Sequence, residues 1–274
     1  MADSPSAQQL PSDEVLLSVS GPVATIRLNR PERRNSFTGA FMDSLADAVE
    51  AAIEAAGVRV VVLTGGERCF SVGGDLEEFS AGAFAPAHMT VEESAAELRH
   101  RARAVELLRA SDRVSVAAVS GPCAGAGFSL AAACDLRIAS TTAVFRTAFI
   151  GAGLASDYGG LWSLTRLVGE ARAKELFLLN TKLSAERALD IGLVSAVVDP
   201  TGLEQAAAEV AETLAAQAPL ALSAIKRLFT AQPGDFSAAL DEESLAQKRL
   251  AYTSDAREAA RSFVERRAPR FGGA

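Results

Sequence analysis

The sequence predicts an α/β fold, with a core over about residues 1–200 and a helical region over 201–274. Three observations predict it. Strand-loop-helix units start near residues 23, 58, 114 and 194, a spacing too unequal for a fixed-period solenoid but typical of a recurring supersecondary unit. Two of the strands, Val58–Thr64 and Val114–Val119, are almost wholly apolar, as strands covered on both faces are. From Thr201 onward the chain reads as helix, interrupted at Pro219 and at Gln232–Asp235.

In chain order, Val15–Val19 and Val23–Leu28 are β-prone runs around Ser20-Gly21-Pro22, a hairpin pattern. A helix is predicted over Thr38–Ala56, because Phe41, Leu45, Val49, Ala52 and Ile53 recur on one face. After the 58–64 strand, Gly65-Gly66 breaks the run, and a short helix follows Asp75. Thr90 with Glu93 is a capping box opening one long helix to Ala110. Beyond the 114–119 strand come a glycine loop (121–127), a helix (128–133), strands at 136–139 and 143–146, and a loop at 151–160. A last short strand lies within Asp190–Val198, and Asp255 with Glu258 is a second capping-box pattern.

Composition excludes several classes of function. Of 274 residues 49% are hydrophobic and 55 are alanine, so the chain can bury enough surface to offset its ordering entropy. A net charge of −7 argues against a nucleic-acid binder, whose affinity rests on cations neutralising phosphates. Three cysteines without a C-x-x-C and only two histidines, His88 and His100, suggest neither a disulfide framework nor a metal centre. Met1–Glu14 is polar and does not read as a signal peptide. Val114–Cys134 carries no charge up to Cys134, but its serines, glycines and proline read as strand, loop and helix rather than a membrane span. A cytoplasmic protein is expected.

The chemistry is expected at two glycine loops, each where a strand hands over to a helix. Glycine allows positive φ and close backbone approach, and a helix N-terminus offers unpaired N–H donors. Two donors converging on one point make an oxyanion hole. The second loop lacks the third glycine of a dinucleotide fingerprint, and no G-x-x-x-x-G-K-[ST] occurs. Gly127-Phe-Ser129-Leu-Ala131 falls one residue short of a nucleophile elbow, and no histidine follows His100 to act as its base.

With these motifs in view, the chain resembles the crotonase (enoyl-CoA hydratase/isomerase) superfamily from about Val15 to Phe271. The resemblance rests on Asn29-Arg-Pro-Glu32 with Asn35, Cys69-Phe-Ser-Val-Gly-Gly-Asp-Leu76 and Ala118-Val-Ser-Gly-Pro-Cys-Ala-Gly-Ala-Gly127. It continues through Cys134-Asp-Leu-Arg-Ile-Ala139, Gly159-Gly160 with Leu164–Gly169, and Phe263-x-Glu-Arg-Arg-x-Pro-x-Phe271. It implies a spiral of ββα units with C-terminal helices that build homotrimers or hexamers. It also implies an acyl-CoA thioester substrate, with no cofactor beyond the coenzyme A it carries. The Val72 and Ala126 N–H groups match the oxyanion hole, with Gly73 and Gly125 beside them.

By the same resemblance, the two glutamates used by hydratases of this family correspond here to Ser129 and Phe149, neither of which is a competent acid or base; both are carried as candidate substrate contacts. Asp157 stands where isomerases of the family carry a catalytic carboxylate. Isomerisation requires one base, and an apolar site raises a carboxylate pKa toward a useful value. Asp157 also precedes a helix, where a capping role is the plain alternative. Asp75 opens a short helix and reads more readily as a cap fixing the first loop than as a base, and it is carried as a candidate substrate contact. Phe79, Phe84 and Met89 are candidates for an acyl site shaped by the Ser80–Thr90 loop. The resemblance places Arg30 and Lys226 near the CoA phosphates.

Overall fold

The computed structural model describes residues 6–8, 12–231 and 234–274. The hairpin forms as expected. Strands β2 (Val15–Ser20) and β3 (Val23–Leu28) pair antiparallel, and β1 (Ser6–Gln8) adds to β2. Helix α1 (Gly39–Glu54) starts at Thr38, whose hydroxyl accepts from the Phe41 N–H at 3.1 Å; its buried face carries Phe41, Leu45, Val49 and Ala52. Next come β4 (Val60–Thr64), α2 (Leu76–Ser80) and α3 (Val91–Arg101), which opens with the expected Thr90–Glu93 capping box. The long helix expected to Ala110 is broken at Ala102. There the chain tightens (ψ 2°), its N–H reaches back to the Arg99 carbonyl, and α4 (Arg103–Ala110) restarts.

Strand β5 (Val114–Val119) leads into β6 (Pro122–Ala124), three residues of strand inside the expected glycine loop. They are followed by α5 (Ala126–Ala133), β7 (Leu136–Ser140) and β8 (Val144–Arg146). A 3-10 turn over Phe149–Ala152 and a loop lead to α6 (Gly160–Leu179). Short elements follow: β9 (Leu183–Ser184), α7 (Ala185–Asp190) and β10 (Ala196–Val198). Four helices complete the chain: α8 (Leu203–Ala215), α9 (Pro219–Ala231), α10 (Phe236–Ala251) and α11 (Ser254–Glu265). Residues 232–233 of the break expected before α10, and most of 1–11, lie outside the described residues.

The main sheet runs β1-β2-β3-β4-β5-β7-β10, parallel from β3 onward. A second sheet, β6-β8-β9, stands beside it. One face of the main sheet packs on α1, α4 and α5 through residues such as Ile26, Leu45, Leu63 and Phe128. On the other, Val60, Val62, Val116 and Ile138 meet Leu203, Ala207, Ala211 and Ala215 of α8. Helix α8 therefore seals the core sheet, although it lies beyond the boundary read at residue 200. The parallel arrangement has a chemical consequence. It sets the loops after β3, β4 and β5 side by side at the carboxyl ends of their strands, where α/β proteins bind ligands.

Asp255 and Glu258 do not form a capping box. Thr253 caps α11, while the Asp255 carboxylate accepts from the Gly272 and Gly273 N–H groups and Glu258 pairs with Arg267. Both acids fasten the C-terminal tail. Among the described residues, no helix is long and apolar enough to cross a membrane.

Candidate active site

The loop after β3 is the frame of the site. Arg34 and Asn35 are both left-handed (φ 52° and 53°), which turns the Asn35 side chain inward. Its amide accepts from the Arg30 N–H and donates to the Cys69 and Phe70 carbonyls at 2.9 and 3.0 Å. One buried asparagine thus joins the loops after β3 and β4. Ser71 reinforces the joint, its hydroxyl donating to the Asn35 carbonyl at 2.7 Å. Asp75 pins the next stretch. Its buried carboxylate accepts from Ser36 Oγ, from Arg33 and from the Glu77 and Glu78 N–H groups that open α2. Burial pushes the Asp75 pKa up, but these donors outweigh it and pull it down to about 2.

The two glycine loops touch. A methyl group at Gly73 (φ 85°) would stand 2.8 Å from the Ala124 carbonyl and 3.0 Å from the Ala126 nitrogen, so only glycine fits there. Ala126 is the first residue of α5, and its N–H belongs to the turn that has no intrahelical acceptor. Gly125 before it holds φ 52°, ψ −129°. Val72 differs from expectation. Its N–H donates to the Arg34 carbonyl at 3.2 Å, because the left-handed turn at Arg34 and Asn35 aims that carbonyl at the loop.

Ala126 faces a cavity of about 540 Å³ walled by α2, the 83–91 loop, α3 and the start of α1. Phe84 and Met89 line it as expected, and Phe79 stacks edge-on against Phe84 at 5.2 Å. Asp157 lines the same cavity. It does not cap α6: Gly159 holds the N-cap position, and the Asp157 backbone carbonyl, not its carboxylate, accepts from the Gly160 N–H. Its Oδ1 is buried without a hydrogen-bond partner among the described residues. Burial raises the Asp157 pKa to about 7, near that of an efficient base at neutral pH.

Sequence reasoning missed Tyr158, which sits beside Asp157 with a strained φ of 45° and packs edge-on against Phe37. Its only sequence signal was its place beside Asp157. Arg101, also in the wall, pairs with Glu97.

Five expected substrate contacts are corrected. Arg30 turns inward, donating to the Ser36 carbonyl at 2.7 Å with Glu14 and Asp75 beside it. Lys226 is buried, and its ammonium contacts the Leu108 and Arg113 carbonyls and the Asp135 carboxylate at 2.6, 2.6 and 2.9 Å. Three donors meet three acceptors, which leaves nothing for a phosphate. Ser129 is enclosed against Gly160, and Phe149 stacks on Phe177; neither lines the cavity. Asp75 is a loop fastener, as described above. Gly73 and Gly125 shape the two loops through their positive-φ backbone.

The cysteines offer no nucleophile. All three are buried, and burial pushes each thiol pKa up. Among the described residues no cluster of three histidine, cysteine or acidic side chains is placed to hold a metal.

The parallel-sheet scaffold thus presents Ala126 at a helix start and one half-buried carboxylate, Asp157, to the same largely apolar cavity. The family follows from comparison. The Enoyl-CoA hydratase/isomerase family model matches residues 18–274, and the chain belongs to that family. The 1,2-epoxyphenylacetyl-CoA isomerase of Escherichia coli is 36% identical over 94% of this chain and 98% of its own length. The trans-2-decenoyl-[acyl-carrier-protein] isomerase of Streptococcus mutans is 33% identical over 95% of this chain and 98% of its own. An enoyl-CoA hydratase structure from Bacillus anthracis superposes with a TM-score of 0.87 at 30% identity, covering 96% of this chain and all of that one. The crotonase-type fold expected from the motifs is thereby borne out.

Proposed function

We propose that the protein isomerises the double bond of an enoyl-CoA, with Asp157 as the proton carrier. The observation that carries this reading is the Asp157 carboxylate. It is half-buried with its Oδ1 enclosed and unpartnered among the described residues, burial raises its pKa to about 7, and it shares one cavity with Ala126. The thioester oxygen accepts from Ala126. Ionised Asp157 takes a proton from the α-carbon of a 3-enoyl chain, and negative charge flows to the thioester oxygen. The same carboxyl returns the proton to the γ-carbon, which leaves the 2-enoyl product and an unchanged enzyme. Val72 supplies the second donor by exchanging its long bond to the Arg34 carbonyl for a shorter, charge-assisted one to the enolate. No cofactor beyond the coenzyme A of the substrate enters these steps.

Hydration demands a second group to activate water. The positions that supply one in hydratases are Ser129 and Phe149, and both lie off the cavity. The C-terminal helices expose Phe229, Phe236, Tyr252, Phe263 and Val264, a face suited to trimer assembly. We place the enzyme in the cytoplasm.

The direct test is incubation with a 3-enoyl-CoA while the absorbance of the conjugated thioester is followed. Turnover is expected, and Asp157→Asn lowers it by roughly 10²–10⁴-fold. Turnover unchanged in that variant refutes the role of Asp157. Saturable binding of acyl-CoA without turnover identifies a binding protein instead.

A further inference from the structure

A second cleft, of about 400 Å³, opens on the far side of Asp157 between α3, α4 and the start of α6. Ala95, Leu98, Asp157 and Tyr158 border both this cleft and the main cavity, so the carboxylate stands between the two spaces. An acyl chain that starts at Ala126 and presents its carbons to Asp157 is directed toward this cleft.

The cleft wall is not simply apolar. The Arg109 guanidinium lies over the Trp162 ring at 4.1 Å, and Arg166 covers another part of the same indole at 3.7 Å. Burial depresses the Arg109 pKa, yet among the described residues it forms no ion pair. Asp135, the carboxylate whose field it feels most, is engaged by Lys226 and Ser115. Glu106, also in the wall, is paired with Arg99. Ser163, 3% exposed, lines the same cleft with its hydroxyl buried and unpartnered. A partly desolvated guanidinium without a carboxylate and a buried hydroxyl without an acceptor are each costly alone. One ligand group satisfies both: a carboxylate accepting from Arg109 and from Ser163. A methyl terminus satisfies neither.

We propose that this cleft receives the distal end of the acyl group, and that the preferred substrates are CoA monothioesters of dicarboxylic acids, whose free carboxylate is held by Arg109 and Ser163. The proposal rests on the reading that places the thioester at Ala126, and it adds Arg109 and Ser163 as specificity determinants.

Trp162 is the single tryptophan of the chain and lines the cleft, so its fluorescence reports occupancy without requiring turnover. The titration uses unreactive saturated thioesters in matched pairs: adipyl-CoA against hexanoyl-CoA, and suberyl-CoA against octanoyl-CoA. At least one carboxylated member is expected to bind about tenfold more tightly than its methyl-ended partner. Arg109→Met should reduce that ratio to about two or less, Arg109→Lys should keep part of it, and Ser163→Ala should lower it several-fold. Because the readout is a ratio, a general loss of affinity in a variant cancels. Equal or weaker binding of both carboxylated thioesters overturns the proposal and leaves the thioester reading intact. A preference unchanged in Arg109→Met and Ser163→Ala overturns it too. If none of the four binds saturably, the thioester reading fails, and this one with it.

Discussion

Asp157→Asn should make the protein more stable as well as inactive, and the gain should depend on pH in a defined way. The Asp157 pKa rises from 3.8 to about 7 because burial penalises the charged form. The folded state therefore holds its proton between those values, while the unfolded chain has already released it. Stability falls as pH rises through that window, and the full penalty is present above about 7. At about 1.4 kcal/mol per pH unit, the gap amounts to on the order of 4 kcal/mol. Asparagine keeps the shape and cannot ionise. The variant and the parent should be equally stable near pH 4, and the variant should lead by on the order of 4 kcal/mol at pH 8. For a chain of this size that is roughly 5–10 °C in Tm. Thermal and urea unfolding at pH 4, 6 and 8, at one protein concentration, measures it. A variant that is no more stable at pH 8, or whose advantage is the same at pH 4, refutes the claim that the carboxylate is held in a destabilising site for function.

Other expectations follow from the same geometry. The kcat/KM of isomerisation should rise with pH to a plateau with a midpoint of about 7, since Asp157 must be ionised to accept a proton. Gly73→Ala places a methyl against the Ala124 carbonyl and the Ala126 N–H; it should lower kcat by roughly 10²-fold and leave the main core folded by circular dichroism. Lys226→Met removes a buried ammonium from three acceptors, so it should cost about 3 kcal/mol in urea unfolding while leaving the KM for the CoA ester near the parent value. Ser129→Glu forces a carboxylate against Gly160, and the expected result is a loss of about 3 kcal/mol with no hydratase activity gained.

Much of the fold was legible because its signals are local. The Gly21 turn, the Thr38 cap, the Thr90–Glu93 capping box and the apolar runs at 60–64 and 114–119 each act over a few residues. The glycine loops and Asp157 were legible for a related reason, since backbone conformation and residue type set what those positions are able to do. The break at Ala102 and the strand inside the second glycine loop were not, because each depends on what packs against the segment.

The same division separates what sequence determined from what tertiary structure decided. Sequence alone placed the chain in an α/β class, nominated two glycine loops and a single carboxylate, and left the histidines and cysteines idle. It had no means of knowing where a long cationic side chain ends. Lys226 meets a carbonyl 118 positions away, and Arg109 stacks on a tryptophan in α6. Nor did it foresee that the Arg34 carbonyl would occupy the Val72 N–H, or that a second cleft lies against Asp157. Local conformation is encoded in neighbouring residues, whereas the partners of a charge and the shape of a cavity depend on chain segments that only folding brings within a few ångströms.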